Sequence, residues 1–362
     1  MNRPKIAVMT RPIDNRSTSG SGKHLIEILQ ALLELDHGLD ITFVHNMDCD
    51  HPLYRHPDVK EIKIPRNPLK ASKILRDQNF DLNHYSPVSI MSPMWGIKAK
   101  KTGTIHNAEP VLIPRHFPLW QVIHEYLGCR PMSRKLDGIA TVSWTSREFL
   151  AKFYNIPESL FTICYNSYNH NYKVLNEENL LHKEPFLYHV SKFSPRKNPW
   201  VLLSSFALLK QEFPELRLKI SGSKWDNPQV DKELTLLGIQ DDVDLLGFST
   251  EEDIIHNLNR ASAFVFPSLC EGFGIPNIEA QACGCPVVTS AAFAIPEVVG
   301  QGAVLVDDYK NPQDFANGIK SLFQMDEQDK AVLIAAGLEN VKRYSWKESA
   351  EELVKLWKEL LE

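Results

Sequence analysis

Apolar residues in this chain come in two rhythms that alternate along most of its length. Short runs such as Lys5-Ile6-Ala7-Val8-Met9 and Ala263-Phe264-Val265-Phe266 are nearly continuous, as buried parallel strands are. Between such runs an apolar residue recurs every three or four positions. Leu25, Ile28, Leu29, Leu32 and Leu33 make one helical stripe; Trp346, Ala350, Leu353, Leu356, Trp357 and Leu360 make another. The spacing predicts strands over 39–46, 61–65, 81–84, 102–106 and 138–142, with helices over 68–78, 115–127 and 145–153. A less regular stretch at 165–185 reads as the interdomain connection. Beyond it, strands are predicted at 186–190, 216–221, 243–246, 263–266, 286–289 and 303–306. Helices are predicted at 197–211, 229–237, 251–260, 276–283 and 311–324. Repeated strand–helix alternation specifies parallel sheets covered by helices. Two such series in one chain predict an α/β protein of two doubly wound, Rossmann-like domains facing across a cleft, over 1–180 and 181–344. Ligands are then expected near the carboxyl ends of the strands.

Composition changes this picture little. At 362 residues, 43% hydrophobic and 23% charged, the chain reads as a soluble two-domain protein. It has no run of 18 apolar residues, and its opening MNRPKIAVMTRP lacks the apolar region of a secretion signal, so a cytoplasmic location is expected. Six cysteines, at 49, 129, 164, 270, 283 and 285, are too sparse for a disulfide scaffold and fit a reducing compartment. Cys283 and Cys285 lack the second pair that zinc would require, so they read as buried thiols and no metal is expected.

Charge is less even. Residues 1–180 hold 22 Lys/Arg against 18 Asp/Glu, whereas residues 181–362 hold 18 against 27. The basic half reads as a contact with an anionic surface, either the lipid of the inner membrane or a glycan, or as ordinary surface variation. Nothing marks a nucleic-acid-binding module, so no nucleic acid partner is expected.

The densest chemistry follows the strand at 263–266. Pro267 and Ser268 close it, Gly272-Phe273-Gly274 makes a loop, and a helical stretch begins near Pro276. Backbone amides and a helix N-terminus favour an anion such as a phosphate. Glu271 and Glu279, beside them, suit the hydroxyls of a sugar or ribose. A ligand carrying both phosphate and polyol fits the combination. Arg196 and Lys197, just beyond the strand at 186–190, offer a directed fork of donors and a compact charge for a diphosphate. Gly20 and Gly22 precede the first helix; they let backbone approach a donor phosphate or shape an acceptor entrance. This is not a nucleoside-triphosphate loop, because His24 occupies the Ser/Thr position after Gly22-Lys23.

The run EGFGIPNIE, followed by ACGCPVV and AIPEVVG, resembles the Glu-x7-Glu region of retaining glycosyltransferases of family 4, whose fold is GT-B. That resemblance covers almost the whole chain and is strongest from 186 to 310. It implies that Lys197, in PRKN, binds the donor diphosphate with Arg196 as companion, and that Glu279 holds the ribose hydroxyls. Glu271 would face the donor sugar, with the backbone of Phe273, Gly274 and Ile275 beside it. Gly222, in ISGSKW, is the turn residue beside the nucleotide, and the backbone at Phe248 and Ser249 lies near the base. His106, after a first-domain strand, would reach the donor sugar from across the cleft. Ser143 and Arg147 resemble a cleft-facing helix entry; a cap and a surface ion pair are the other reading. Two positions depart from the family pattern: Asn107 stands where relatives carry Asp, and Ser191 where many carry Gly. The helix in 345–362 is expected to pack back toward the first domain, with a membrane-surface helix as the alternative.

The resemblance implies retaining transfer of a hexosyl group, mannose or glucose, from a GDP- or UDP-sugar. The acceptor would be a saccharide or lipid-linked saccharide in bacterial polysaccharide or lipopolysaccharide assembly. The donor is a substrate, and no tightly bound cofactor is implied. A GT-B nucleotide-sugar epimerase and a catalytically inactive sugar-nucleotide-binding or assembly protein are the alternative readings.

Overall fold

A computed structural model describes residues 3–14, 20–47, 50–177 and 180–362. Cys49 and residues 15–19 of the glycine-bearing loop lie outside the described residues. The chain forms two compact units, Met1–Asn166 with Ser345–Glu362, and Ser167–Tyr344.

In the first unit seven strands form one parallel sheet: β1 (Lys5–Met9), β2 (Asp40–His45), β3 (Val59–Lys63), β4 (Leu82–Tyr85), β5 (Lys100–Thr104), β6 (Gly138–Thr141) and β7 (Phe161–Ile163). Their spatial order is β3-β2-β1-β4-β5-β6-β7. The second sheet has six parallel strands: β8 (Glu184–Val190), β9 (Arg217–Ser221), β10 (Val243–Gly247), β11 (Ala261–Phe266), β12 (Val287–Ser290) and β13 (Val304–Val306). Their order is β10-β9-β8-β11-β12-β13. Both sheets grow outward from their first strand in one direction and then the other, since right-handed crossovers place helices on both faces. The order reverses between β1 and β4 and between β8 and β11, which opens a crevice at the carboxyl ends of those strands.

The helices cover the sheets as their stripes dictate. Leu25 and Leu29 of helix Gly20–Leu33 and Leu353 and Trp357 of helix Trp346–Leu361 pack with Val8 and Phe43 on one face of the first sheet. Gly138 lets the terminal helix approach, because a Cβ there would lie 2.8 Å from Leu356 Cδ1. Ala7, Tyr85, Ile139 and Leu150 belong to a second core of the same unit. In the second unit Leu187, Leu218, Val265 and Val288 pack with Phe206 and Phe315.

The structure departs from the sequence reading at several places. The helix expected over 115–127 is broken into Glu109–Leu112, Leu119–His124, a π-turn at Glu125–Cys129 and Arg130–Ser133. Pro114 and Pro118 account for the breaks before Leu119: each lacks an N–H, and each biases the residue before it away from helix. Strand β7 and the helix Glu327–Asn340 carry no clear apolar rhythm and were not anticipated. The units divide at Asn166/Ser167 where the sequence reading placed 180/181. Asn259 explains this, since its Oδ1 accepts from the Leu175 amide at 2.8 Å and its Nδ2 donates to the Lys173 carbonyl at 3.0 Å. The connection is thereby tied to helix Glu251–Arg260 of the second unit.

Candidate functional site

The crevice between β8 and β11 gathers most of the second-unit candidates, although they lie more than 70 residues apart in sequence. After β8 the chain turns through Pro195–Lys197, held down where the Arg196 carbonyl accepts from the Leu269 amide at 2.8 Å. This stitches the cationic loop to the loop after β11. Glu271, 8% exposed, then receives three donors on one oxygen: Arg196 Nη1, Lys197 Nζ and Ser268 Oγ, each at 2.6 Å. Arg196 Nη1 also donates to the Cys270 carbonyl at 2.9 Å. The Lys197 ammonium lies 4.6 Å from the ring centre of fully buried Phe266. Burial alone would raise the Glu271 pKa, but the charges and hydrogen bonds of Arg196 and Lys197 outweigh it and hold the carboxyl at about 2. Two half-buried cations and a buried anion thus form one cluster at the strand ends.

Gly274 closes the loop at φ 94°, a left-handed conformation suited to glycine, and its Cβ position would be 3.7 Å from Glu271 Cβ. Ile275 begins the helix Ile275–Ala282, whose first amides point back toward this loop. Glu279 sits on that helix and is buried. Its carboxylate is close enough to Tyr172 that, after burial, it is the main cause raising the Tyr172 hydroxyl pKa. Phe273 is buried against Tyr344, with ring centres 5.1 Å apart.

The other strand ends complete the rim. Gly222 follows β9 at φ 132°, and a Cβ there would lie 1.9 Å from the Ser191 carbonyl oxygen. Ser191 is buried beneath it. Its amide donates to the Ser221 carbonyl at 3.0 Å, and its own carbonyl accepts from Trp225 Nε1 at 2.7 Å. His189 Nδ1 donates to the Val265 carbonyl at 2.8 Å, which leaves Nε2 to accept the Ser191 hydroxyl at 2.7 Å. Burial lowers the His189 pKa to about 4, so the ring is neutral. The Ser191 side chain is therefore held by a bond to the end of β8, and Trp225 packs locally with His189 and Phe193. After β10, Phe248 is 82% exposed, while Ser249 Oγ donates to Ser221 Oγ at 2.8 Å. Thr250 and Asp253 form a reciprocal capping box, with both amide-to-side-chain bonds at 3.1 Å.

The family model for glycosyl transferases group 1 matches residues 173–339. The second unit is a group 1 glycosyltransferase domain. The chain as a whole is similar to O-antigen chain mannosyltransferase B of Escherichia coli, at 28% identity over 98% of this chain and 99% of that one. Among solved structures, sucrose-phosphate synthase from Thermosynechococcus elongatus superposes with a TM-score of 0.79 at 18% identity, covering 99% of both chains. The Anabaena protein HepE in complex with UDP and glucose gives 0.75 at 17%, covering 98% of this chain and 100% of that one. The two Rossmann-like units are those of the GT-B fold.

In the first unit, His106 follows β5 and is half-buried. Its ring meets that of fully buried His24 edge-on, with centres 4.5 Å apart, and its Nε2 is enclosed without a protein hydrogen-bond partner. Burial first, and then His24, lowers the His106 pKa well below its ordinary value, so the imidazole is neutral. His24 in turn is fixed by Asn166 Oδ1, 2.6 Å from its Nδ1. Asn107 Nδ2 donates to Glu109 Oε1 at 3.2 Å. Gly20 is exposed at the start of its helix and Gly22 is buried within it. Ser143 caps helix Trp144–Tyr154 by accepting the Ser146 amide at 3.0 Å, and Arg147 pairs with Glu158 at 2.8 Å.

Ser268, His189 and Asn277 belong to the second-unit site and were missed by sequence reasoning. The side chain of Asn277 is fully buried beside Gly274, and its Oδ1 has no hydrogen-bond partner. Ser268 lay within the motif itself, but a serine closing a strand reads as a stop signal until Glu271 is seen to return onto its hydroxyl. Cys283 and Cys285 are buried free thiols, and burial pushes Cys285 up to about 12.

Proposed function

We propose that this chain is a glycosyltransferase that moves a hexosyl group, mannose or glucose, from a GDP- or UDP-sugar to a saccharide or lipid-linked saccharide, with retention of anomeric configuration. The observation that carries the reading is the placement of Arg196 and Lys197 on one oxygen of buried Glu271, at the crevice where the second sheet reverses order. A departing nucleoside diphosphate develops negative charge, and two fixed cations in a buried setting stabilise that charge more than they stabilise the intact donor. On this reading Glu271, already bonded to both cations, meets the donor sugar beside the diphosphate. We assign it the orientation of sugar hydroxyls, and Glu279 the ribose hydroxyls. The backbone at Phe273, Gly274 and Ile275 would contact the sugar side, and that at Gly222, Phe248 and Ser249 the nucleotide side. To His106, neutral in its buried setting, we assign a contact to donor hydroxyls, and to Gly20 and Gly22 an opening for phosphate or acceptor. The similarity to an O-antigen mannosyltransferase supports a role in polysaccharide assembly. To the basic first unit we assign a peripheral contact with the cytoplasmic face of a membrane.

The test is a panel of UDP- and GDP-sugars scored for binding and for transfer to oligosaccharide acceptors. Proton NMR of fresh product should show an α-glycoside from an α-linked donor. In Lys197→Ala, turnover is expected to fall by more than donor affinity, because the contact strengthens as the leaving group departs. No binding by any nucleotide sugar, or a β product, would sink the proposal.

A further inference from the structure

The helix Leu119–His124 is rich in apolar residues yet buries none of them. Leu119 is 72% exposed, Trp120 64% and Ile123 47%, and the π-turn that continues the helix adds Tyr126 at 43% and Leu127 at 71%. Single exposed apolar residues are ordinary; five within nine positions make a patch that marks an interaction surface. The patch has a firm base. Glu125, Gly128 and Cys129 are buried on the other side, and Glu125 accepts the Tyr154 hydroxyl. Lys135 lies over the partly exposed ring of Trp95, 4.4 Å from its centre, and carries the surface further.

Charge decides what this face meets. Between Pro110 and Lys135 the sequence has Arg115, Arg130, Arg134 and Lys135 against a single acid, Glu125, which is buried. Arg115, Arg134 and Lys135 are exposed. A second copy of this chain would bring like charge against like across a twofold contact. An anionic lipid surface satisfies both the apolar face and its basic rim. Residues 119–127 span only about 13 Å, far short of the roughly 30 Å hydrocarbon core, so they lie along a bilayer and do not cross it.

We propose that the segment Leu119–Leu127 lies in the plane of an anionic membrane surface. Leu119, Trp120, Ile123 and Leu127 enter the headgroup–acyl boundary while Arg115, Arg134 and Lys135 meet anionic headgroups. This deepens the membrane contact proposed above, and it rests on that reading.

Flotation of the full chain with phosphatidylcholine vesicles, with and without phosphatidylglycerol, tests it. The wild-type protein is expected to float with the mixed vesicles and far less with phosphatidylcholine alone. The triple variant Leu119→Ser/Trp120→Ser/Leu127→Ser should lower vesicle affinity about tenfold or more. Arg115→Gln/Arg134→Gln should weaken mainly the phosphatidylglycerol-dependent part and its sensitivity to salt. UDP and GDP titrations run alongside keep the two readings apart. A wild-type protein that binds nucleotide but floats with neither vesicle overturns this inference and leaves the transferase reading standing. Wild-type flotation by the triple variant overturns it as well. So does light scattering that shows a wild-type dimer which the triple variant converts to monomer, since a second copy then covers the face.

Discussion

One oxygen of Glu271 accepts from a guanidinium, an ammonium and a hydroxyl, so three roles drawn separately from the sequence are one electrostatic unit. Removing the carboxylate takes the shared anion from two half-buried cations, whereas removing Glu279 leaves that cluster whole. The two glutamates should therefore separate in isothermal titration with free UDP or GDP. Glu279→Ala is expected to weaken nucleotide binding by about thirtyfold, the order of 2 kcal/mol for a lost charged hydrogen-bond partner. Glu271→Ala should leave free-nucleotide affinity near wild type and lower turnover; the opposite pattern would exchange their assignments. Acid stability gives an independent readout. The Glu271 pKa is depressed from 4.5 to about 2 in the fold, so its ion pairing stabilises the protein above pH 4.5 and is lost as pH falls toward 2. Thermal melts should therefore fall more steeply over that interval in the wild type than in Glu271→Gln, and equal slopes would remove Glu271 from the acid response.

At the scale of elements, the site exists because loops at the ends of neighbouring strands are tied to one another. The tightest constraint is at Gly222, where β9 ends against the Ser191 backbone. Alanine there meets both a carbonyl oxygen at 1.9 Å and a φ of 132°, so backbone must move in two strand-end loops. Gly222→Ala is expected to cost about 3 kcal/mol or more in denaturant unfolding and to weaken nucleotide binding with it. A variant with wild-type midpoint and wild-type affinity would show that the loops yield without cost. The broken helix at 109–133 makes the opposite point. Period alone predicts one helix over 115–127, and it does not show that five of the apolar residues there face outward.

Across the whole molecule, the last 18 residues belong to the first compact unit although the second precedes them in sequence. Trp357 anchors that return: it is fully buried, with its Nε1 3.4 Å from His84 Nδ1. Trp357→Ala is expected to destabilise the protein by about 3–5 kcal/mol in guanidinium unfolding. A loss below about 1 kcal/mol would show that the terminal helix is held by other contacts.

The sequence by itself determined the alternation of strand and helix, the two parallel sheets and the motif after β11, because each is written in short-range period and local turn chemistry. Continuous apolar runs mark strands covered on both faces, and glycines at 272 and 274 mark a tight loop wherever that loop ends up. What only the tertiary structure decided depends on partners distant in the chain. The three-donor contact on Glu271 joins residues 74 positions apart. The Ser191 hydroxyl finds His189 within its own strand end, while the Ser191 carbonyl finds Trp225, 34 residues away. The segment at 173–175 joins the second unit through Asn259, whose side chain has no periodic signature. Sheet order settles such pairings, and it follows from which strands lie side by side, a property of the packed chain and not of any window along it.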